Sequence, residues 1–137
     1  MKNYLPHDAA VPSAELTPEQ HRVMRQHGTE RPGSSPLNNE KREGIYHCAA
    51  CGLELFDSST KYESGSGWPS FFAPLAGGVE TRIDGSLLMQ RVEVHCRQCS
   101  GHLGHVFPDG PRPTGQRYCM NGVALRFEPI AGASRQG

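Results

Sequence analysis

From Ile45 onward the apolar residues come in short clusters separated by Gly, Pro, Ser and Asp. These are Ile45-Tyr46-His47, Leu53-Glu54-Leu55-Phe56, Leu87-Leu88-Met89, Arg91 to His95, His105-Val106-Phe107 and a longer run from Tyr118 to Phe127. Clusters of this length bounded by turn formers predict strands, and their succession predicts an antiparallel, mainly β core. Ahead of them stands one helix signal. Thr17 is placed as N-cap, Pro18 at the first helical position and Gln20 three residues after the cap, and Gly28 supplies a stop, so a helix is expected at about 18 to 27. Residues 29–43 are polar and rich in turn formers, and read as a surface connection. Residues 1–14 read as a flexible leader, 15–128 as one catalytic domain and 129–137 as a flexible tail.

Composition narrows the class. The chain has 137 residues, 36% of them apolar and 7% aromatic, with 16 glycines and 11 prolines, which leaves one modest core that a staple would help. Fourteen basic residues balance fourteen acidic ones, so no strong field draws the protein to nucleic acid or an anionic membrane. Nothing at the start has the apolar run of a signal peptide, and no stretch is long and apolar enough to span a bilayer. A soluble cytoplasmic protein is expected.

In a reducing compartment, five cysteines point to metal or catalysis before disulfides. Cys48-Ala49-Ala50-Cys51 and Cys96-Arg97-Gln98-Cys99 are two C-x-x-C turns 44 residues apart. Each such turn can present two thiolates to one ion, so two turns from different hairpins complete a closed tetrahedral site for one structural zinc. A redox pair of the thioredoxin kind would need a βαβ context that the pattern lacks. With the tetrahedron filled, His102 and His105 are surplus as ligands.

Cys119 has no such partner. If Tyr118 to Phe127 is a strand, then Arg117, Cys119 and Asn121 share one face, and Tyr118 and Met120 the other. A cation beside a thiol favours the thiolate, and an amide can donate to an oxygen on a substrate. The alternative for a free cysteine is a small buried apolar residue. Ser66-Gly67-Trp68-Pro69-Ser70-Phe71-Phe72 carries the only tryptophan, in a segment expected to be too flexible for a core strand; an exposed loop aromatic there suits the wall of a pocket. A zinc-ribbon nucleic-acid module and a binding module without turnover are the rival readings; neutral charge with one Trp disfavours the first, and the Arg117, Cys119, Asn121 face disfavours the second.

Taken in order, the two C-x-x-C turns, Ser64-Gly65-Ser66-Gly67-Trp68-Pro69-Ser70-Phe71, Gly101-His102-Leu103-Gly104-His105-Val106-Phe107-Pro108-Asp109-Gly110 and Arg117-Tyr118-Cys119-Met120-Asn121 closely resemble the peptide-methionine (R)-S-oxide reductases over about residues 15 to 128. The resemblance implies two antiparallel sheets forming a β-tent, with helix at the N-terminal side. It implies that Cys119 attacks the sulfoxide sulfur and becomes a sulfenic acid, with His102, His105 and Asn121 serving oxygen protonation near Asp109 and Arg117. It implies substrate binding by Trp68 and Phe107. Many members carry a resolving cysteine where this chain has Ser66, so regeneration by an external thiol, from thioredoxin or from glutaredoxin with glutathione, is expected for a monomeric enzyme.

Overall fold

The computed structural model describes residues 16–85 and 90–130. The leader, the run Leu87-Leu88-Met89 and most of the tail lie outside the described residues.

The helix forms as its cap pattern requires. α1 spans Pro18–Gln26; the Gln20 N–H donates to Thr17 Oγ1 at 3.1 Å, and the Thr17 N–H donates to Gln20 Oε1 at 2.9 Å. The two bonds satisfy donors that an N-terminus otherwise leaves orphaned, and removing such a cap costs about 1 kcal/mol. The stop falls one residue before the glycine: His27 takes the left-handed conformation at φ 58°, and the Gly28 N–H then donates to the Arg22 carbonyl at 2.9 Å. Val23 and Met24 form the helix's buried face, and the Gln20 amide donates to the Val123 carbonyl.

Among the described residues, nine strands follow in two antiparallel sheets. β1 (Gly44–Cys48), β2 (Glu54–Asp57) and β9 (Leu125–Pro129) make a three-stranded sheet in the order β2-β1-β9. β3 (Lys61–Tyr62), β4 (Ser70–Phe71), β5 (Val79–Gly85), β6 (Gln90–Cys96), β7 (His102–Phe107) and β8 (Arg117–Met120) make a six-stranded one in the order β3-β4-β8-β7-β6-β5. This is the mainly β, two-sheet architecture expected. The sheets meet through rings: Phe56 of β2 stacks on Phe71 of β4 at 4.3 Å between centroids, and Tyr46 of β1 meets Phe71 edge-on at 5.0 Å. All three are fully buried, and burying side chains of this size contributes about 2 to 3 kcal/mol each.

Two expectations are corrected here. Tyr118 to Phe127 is not one strand: the chain leaves the large sheet after Met120, turns through a 3-10 segment at Gly122–Ala124, and enters the small sheet as β9. The tight turn is needed because the two strands serve different sheets. The polar stretch 29–43 is not wholly a surface connection either, since Glu30 and Ser35 are buried and Pro36–Asn39 forms a 3-10 turn.

Candidate active site

The four paired cysteines meet between the two sheets, at the ends of one strand from each. Cys48 ends β1, Cys96 ends β6, and each C-x-x-C turn links a hairpin, β1 to β2 and β6 to β7. The turns share a backbone design: the Gly52 N–H donates to the Cys48 carbonyl at 2.8 Å and the Ser100 N–H to the Cys96 carbonyl at 2.9 Å, with both donors at positive φ. All four sulfurs lie within 4.8 Å of one another, with Cys48 and Cys99 at 3.7 Å and Cys51 and Cys96 at 3.5 Å. A tetrahedron of metal–sulfur bonds of about 2.3 Å has edges of roughly 3.8 Å, so these positions fit a metal ion. Four mostly buried sulfurs this close could not all ionise unaided: hydrogen bonding from its three neighbours pushes the Cys48 thiol well up. A cation resolves that conflict. The chemistry of the donor set is therefore that of a closed, structural site. His102 and His105 take no part in the cluster.

Cys119 lies elsewhere, on β8. It borders a cavity of about 110 Å³ whose lining also includes Trp68, His105, Phe107, Asn121 and Gly104. Strand geometry brings these together. His105 pairs directly with Cys119 across the β7–β8 ladder, and Ser70 pairs with it from the other side. Tyr118 and Met120 pack in the core, so the alternation expected along β8 is present.

Trp68 is fixed rather than loose. Its Nε1–H donates to the Glu30 carbonyl at 2.8 Å, and the carbonyl of Gly67 accepts from the Gly33 N–H and the Asn38 amide. The expectation of a segment too flexible for a core strand is thus corrected, because Ser70–Phe71 is β4, with Phe71 fully buried. Gly67 adopts φ 97°, and a Cβ there would meet Pro32 at 2.8 Å, so the close approach to the 29–35 segment requires glycine.

Glu30 is the residue that sequence reasoning missed. Only 4% exposed, it holds three partners. Its N–H donates to Asn121 Oδ1 at 2.8 Å, its carbonyl accepts from Trp68, and its carboxylate accepts the Gly122 N–H at 2.6 Å. Asn121 is further fixed by donating from Nδ2 to the Leu103 carbonyl at 3.0 Å. Two of these three bonds run through the main chain of Glu30, where residue type leaves no sequence signal.

His102 does not line the cavity. It is 2% exposed and shares a hydrogen bond of 2.8 Å between Nδ1 and the Glu93 carboxylate, which also accepts from Arg82 at 3.0 Å. Burial pushes the His102 imidazole down against the opposing pull of Glu93. Residues three apart on a regular strand face opposite ways, yet His102 and His105 meet edge to face at 5.4 Å. A register shift opposite Val94 and His95 interrupts the alternation and turns His102 toward Glu93. The ring of His27 stacks on His102 at 5.1 Å and 14° from parallel. His27, Glu93 and His102 could each offer a ligand atom, but a metal must lie in the plane of every imidazole it binds, and stacked planes do not meet.

Arg117 is held in a two-pronged pair with Asp109 at 2.8 and 3.1 Å and lies over the Phe107 ring at 4.4 Å. Neither Arg117 nor Asp109 borders the cavity, and the pairing blunts the cation that was expected to favour the Cys119 thiolate. Burial dominates there and pushes the Cys119 thiol up, while Ser66 and then Arg117 pull it back.

This geometry sets one cysteine at a cavity and gathers the other four in a cluster that spans the two sheets. Residues 16–129 match the SelR domain family. The chain is 59% identical over 122 residues to the peptide methionine sulfoxide reductase MsrB of Pseudomonas putida, covering 88% of this chain and 91% of that protein. It is also 59% identical over 113 residues to the MsrB of Methanosarcina mazei, covering 82% of this chain and 81% of that one. The chain belongs to the MsrB family of peptide methionine sulfoxide reductases. The fold alone extends further: the Mis18 'Yippee-like' domain superposes with a TM-score of 0.53 at 15% identity, over 66% of this chain and 99% of that domain.

Proposed function

We propose that this chain reduces methionine (R)-sulfoxide in peptides and proteins to methionine, with Cys119 as the attacking atom. The observation that carries the reading is the position of the Cys119 sulfur in a cavity walled by Trp68 and Phe107 and flanked by His105. The aromatic walls suit the substrate's methyl and thioether groups. In the reaction, the oxygen passes from the substrate sulfur to Cys119. The substrate sulfur keeps the electron pair of the broken bond, and Cys119 is oxidised to a sulfenic acid. Oxygen needs a proton as it leaves the substrate, and we assign its delivery to His105, the histidine that borders the cavity and pairs with Cys119. His102, held by Glu93 one layer behind, orients and tunes His105. Asn121 donates toward the substrate oxygen from a side chain that Glu30 and Leu103 keep in place. The Arg117–Asp109 pair sets the field around the thiol.

No other cysteine competes for the sulfenic acid. The remaining four are gathered at the metal cluster, and Ser66 stands beside Cys119, so two equivalents of an external thiol would return Cys119 to the thiol and release water and a disulfide. Thioredoxin, or glutaredoxin with glutathione, is the class of reductant this requires. Cys48, Cys51, Cys96 and Cys99 would hold one zinc per subunit, whose role is to join the sheets. We place the catalytic unit at residues 15–128 of a monomer working in the reducing cytoplasm, a setting in keeping with five free cysteines. No helix among the described residues is long and apolar enough to cross a membrane.

The test is turnover of a synthetic peptide carrying each methionine sulfoxide epimer, with dithiothreitol as reductant, for the wild type and Cys119→Ser. Consumption of the R epimer only, abolished by the substitution, is expected. Turnover that survives Cys119→Ser would refute the assignment.

A further inference from the structure

Three serine hydroxyls surround the position of the missing second thiol. Ser64 Oγ lies 2.6 Å from Ser70 Oγ and 2.9 Å from Ser66 Oγ, and the Ser70 hydroxyl donates to the Trp68 carbonyl at 3.0 Å. Ser66 Oγ already accepts the Trp68 N–H at 3.3 Å. With Ser64 donating to Ser66 Oγ at 2.9 Å, the proton of Ser66 itself is left with the Trp68 carbonyl and Ser70 Oγ, both at 3.4 Å and beyond the usual range for O–H···O bonds. The remaining acceptor is the Cys119 sulfur at 3.8 Å, within reach for a sulfur acceptor. It is also the only one of the three that becomes an anion, and hydrogen bonds to ions are roughly twice as strong as neutral ones.

We propose that the Ser66 hydroxyl is a catalytic hydrogen-bond donor to the Cys119 sulfur, oriented by Ser64, Ser70 and the Trp68 N–H, which favours the attacking thiolate. The inference rests on Cys119 being the attacking atom. It gives the serine a chemical task where a second cysteine would serve regeneration instead. Its neighbours explain why a donor is needed. Arg117 is shared with Asp109, and Tyr62 from β3, His105 from β7 and Arg91 from β6 are the other titratable or charged groups around the thiol; burial still outweighs the pull of Arg117 on Cys119.

The experiment uses the full chain loaded with zinc. Alkylation of Cys119 by iodoacetamide is followed by mass spectrometry as a function of pH, beside peptide sulfoxide turnover, for the wild type, Ser66→Ala and Ser66→Thr. Ser66→Ala is expected to move the alkylation midpoint up by about one pH unit, and to lower turnover near pH 7 about tenfold. Because the deficit is in thiolate, it should close as the pH rises through the shifted midpoint, and Ser66→Thr, which keeps the hydroxyl, should restore the wild-type profile. An unchanged midpoint, or a loss of turnover equal at every pH, would overturn the proposal, since a packing role alone gives that pattern. Failure of the underlying reading looks different, because wild type and Cys119→Ser would then turn over peptide equally.

Discussion

Gly104 offers a sharp test of how tightly Cys119 is placed. It sits in β7 opposite Met120, and a Cβ added there would collide with the Cys119 carbonyl oxygen and come within 2.9 Å of Met120 Cα. Carbon atoms rest at about 3.5 to 4.0 Å, and the obstructing atoms belong to the backbone of β8, not to a side chain that could swing aside. Gly104→Ala therefore requires β8 to retreat by roughly 1 Å. Overpacking of this kind costs about 1 to 3 kcal/mol, which in a domain of this size lowers Tm by roughly 4 to 12 °C. Catalysis should suffer comparably, because a misplacement of about 1 Å at reacting atoms can cost on the order of 100-fold, or about 2.7 kcal/mol. The assay is kcat on a peptide sulfoxide at a temperature where thermal unfolding shows the variant fully folded. A folded Gly104→Ala protein with near wild-type kcat would refute the claim that the β7–β8 approach sets the position of Cys119.

Two further outcomes follow from the metal cluster. A strong chelator, or Cys48→Ser, is expected to lower Tm sharply, on the scale of the ~10 kcal/mol that a structural zinc contributes in small domains; thermal unfolding with and without the metal checks this, and equal melting curves would exclude the stapling role. Ser100 occupies the left-handed conformation at φ 64° that Gly52 fills in the other turn. Ser100→Gly should raise stability by about 0.5 to 1 kcal/mol by relieving that conformation, measured by urea unfolding of the zinc-loaded protein, whereas a lower midpoint would show the serine side chain to be worth more than the strain.

The parts legible in the sequence are those encoded by local spacing. The C-x-x-C turns announced their cluster because both ligands of each pair sit on one turn, and the helix start at Thr17 was readable because a capping box is a four-residue pattern. Strand alternation made Cys119 readable at the cavity, but Asn121 reaches it from just past the end of β8, and Arg117, expected on the same face, does not border it. What escaped depends on long-range or main-chain contacts. Glu30 clamps Trp68 and Asn121 largely through its backbone, and Glu93 meets His102 only because a register shift breaks the alternation. β5 was also silent: it lies at the edge of the large sheet with Ile83 well exposed, so it lacks the apolar alternation of a strand that buries one face. Joining Tyr118 to Phe127 as one strand failed because a run of apolar residues does not reveal that its two halves serve different sheets.

The passage between those halves has a consequence for how the enzyme ages. Ala49, inside the first C-x-x-C turn, donates its N–H to the carbonyl of Ala124 at 2.9 Å, and Ala124 lies five residues beyond Cys119. The crossing that leads from Cys119 into the small sheet is thus sutured to the loop of the first cysteine pair. Loss of a metal from the four cysteines would therefore loosen the chain segment that leads away from Cys119. The expected outcome of metal removal is a decline in turnover at temperatures below the thermal unfolding transition.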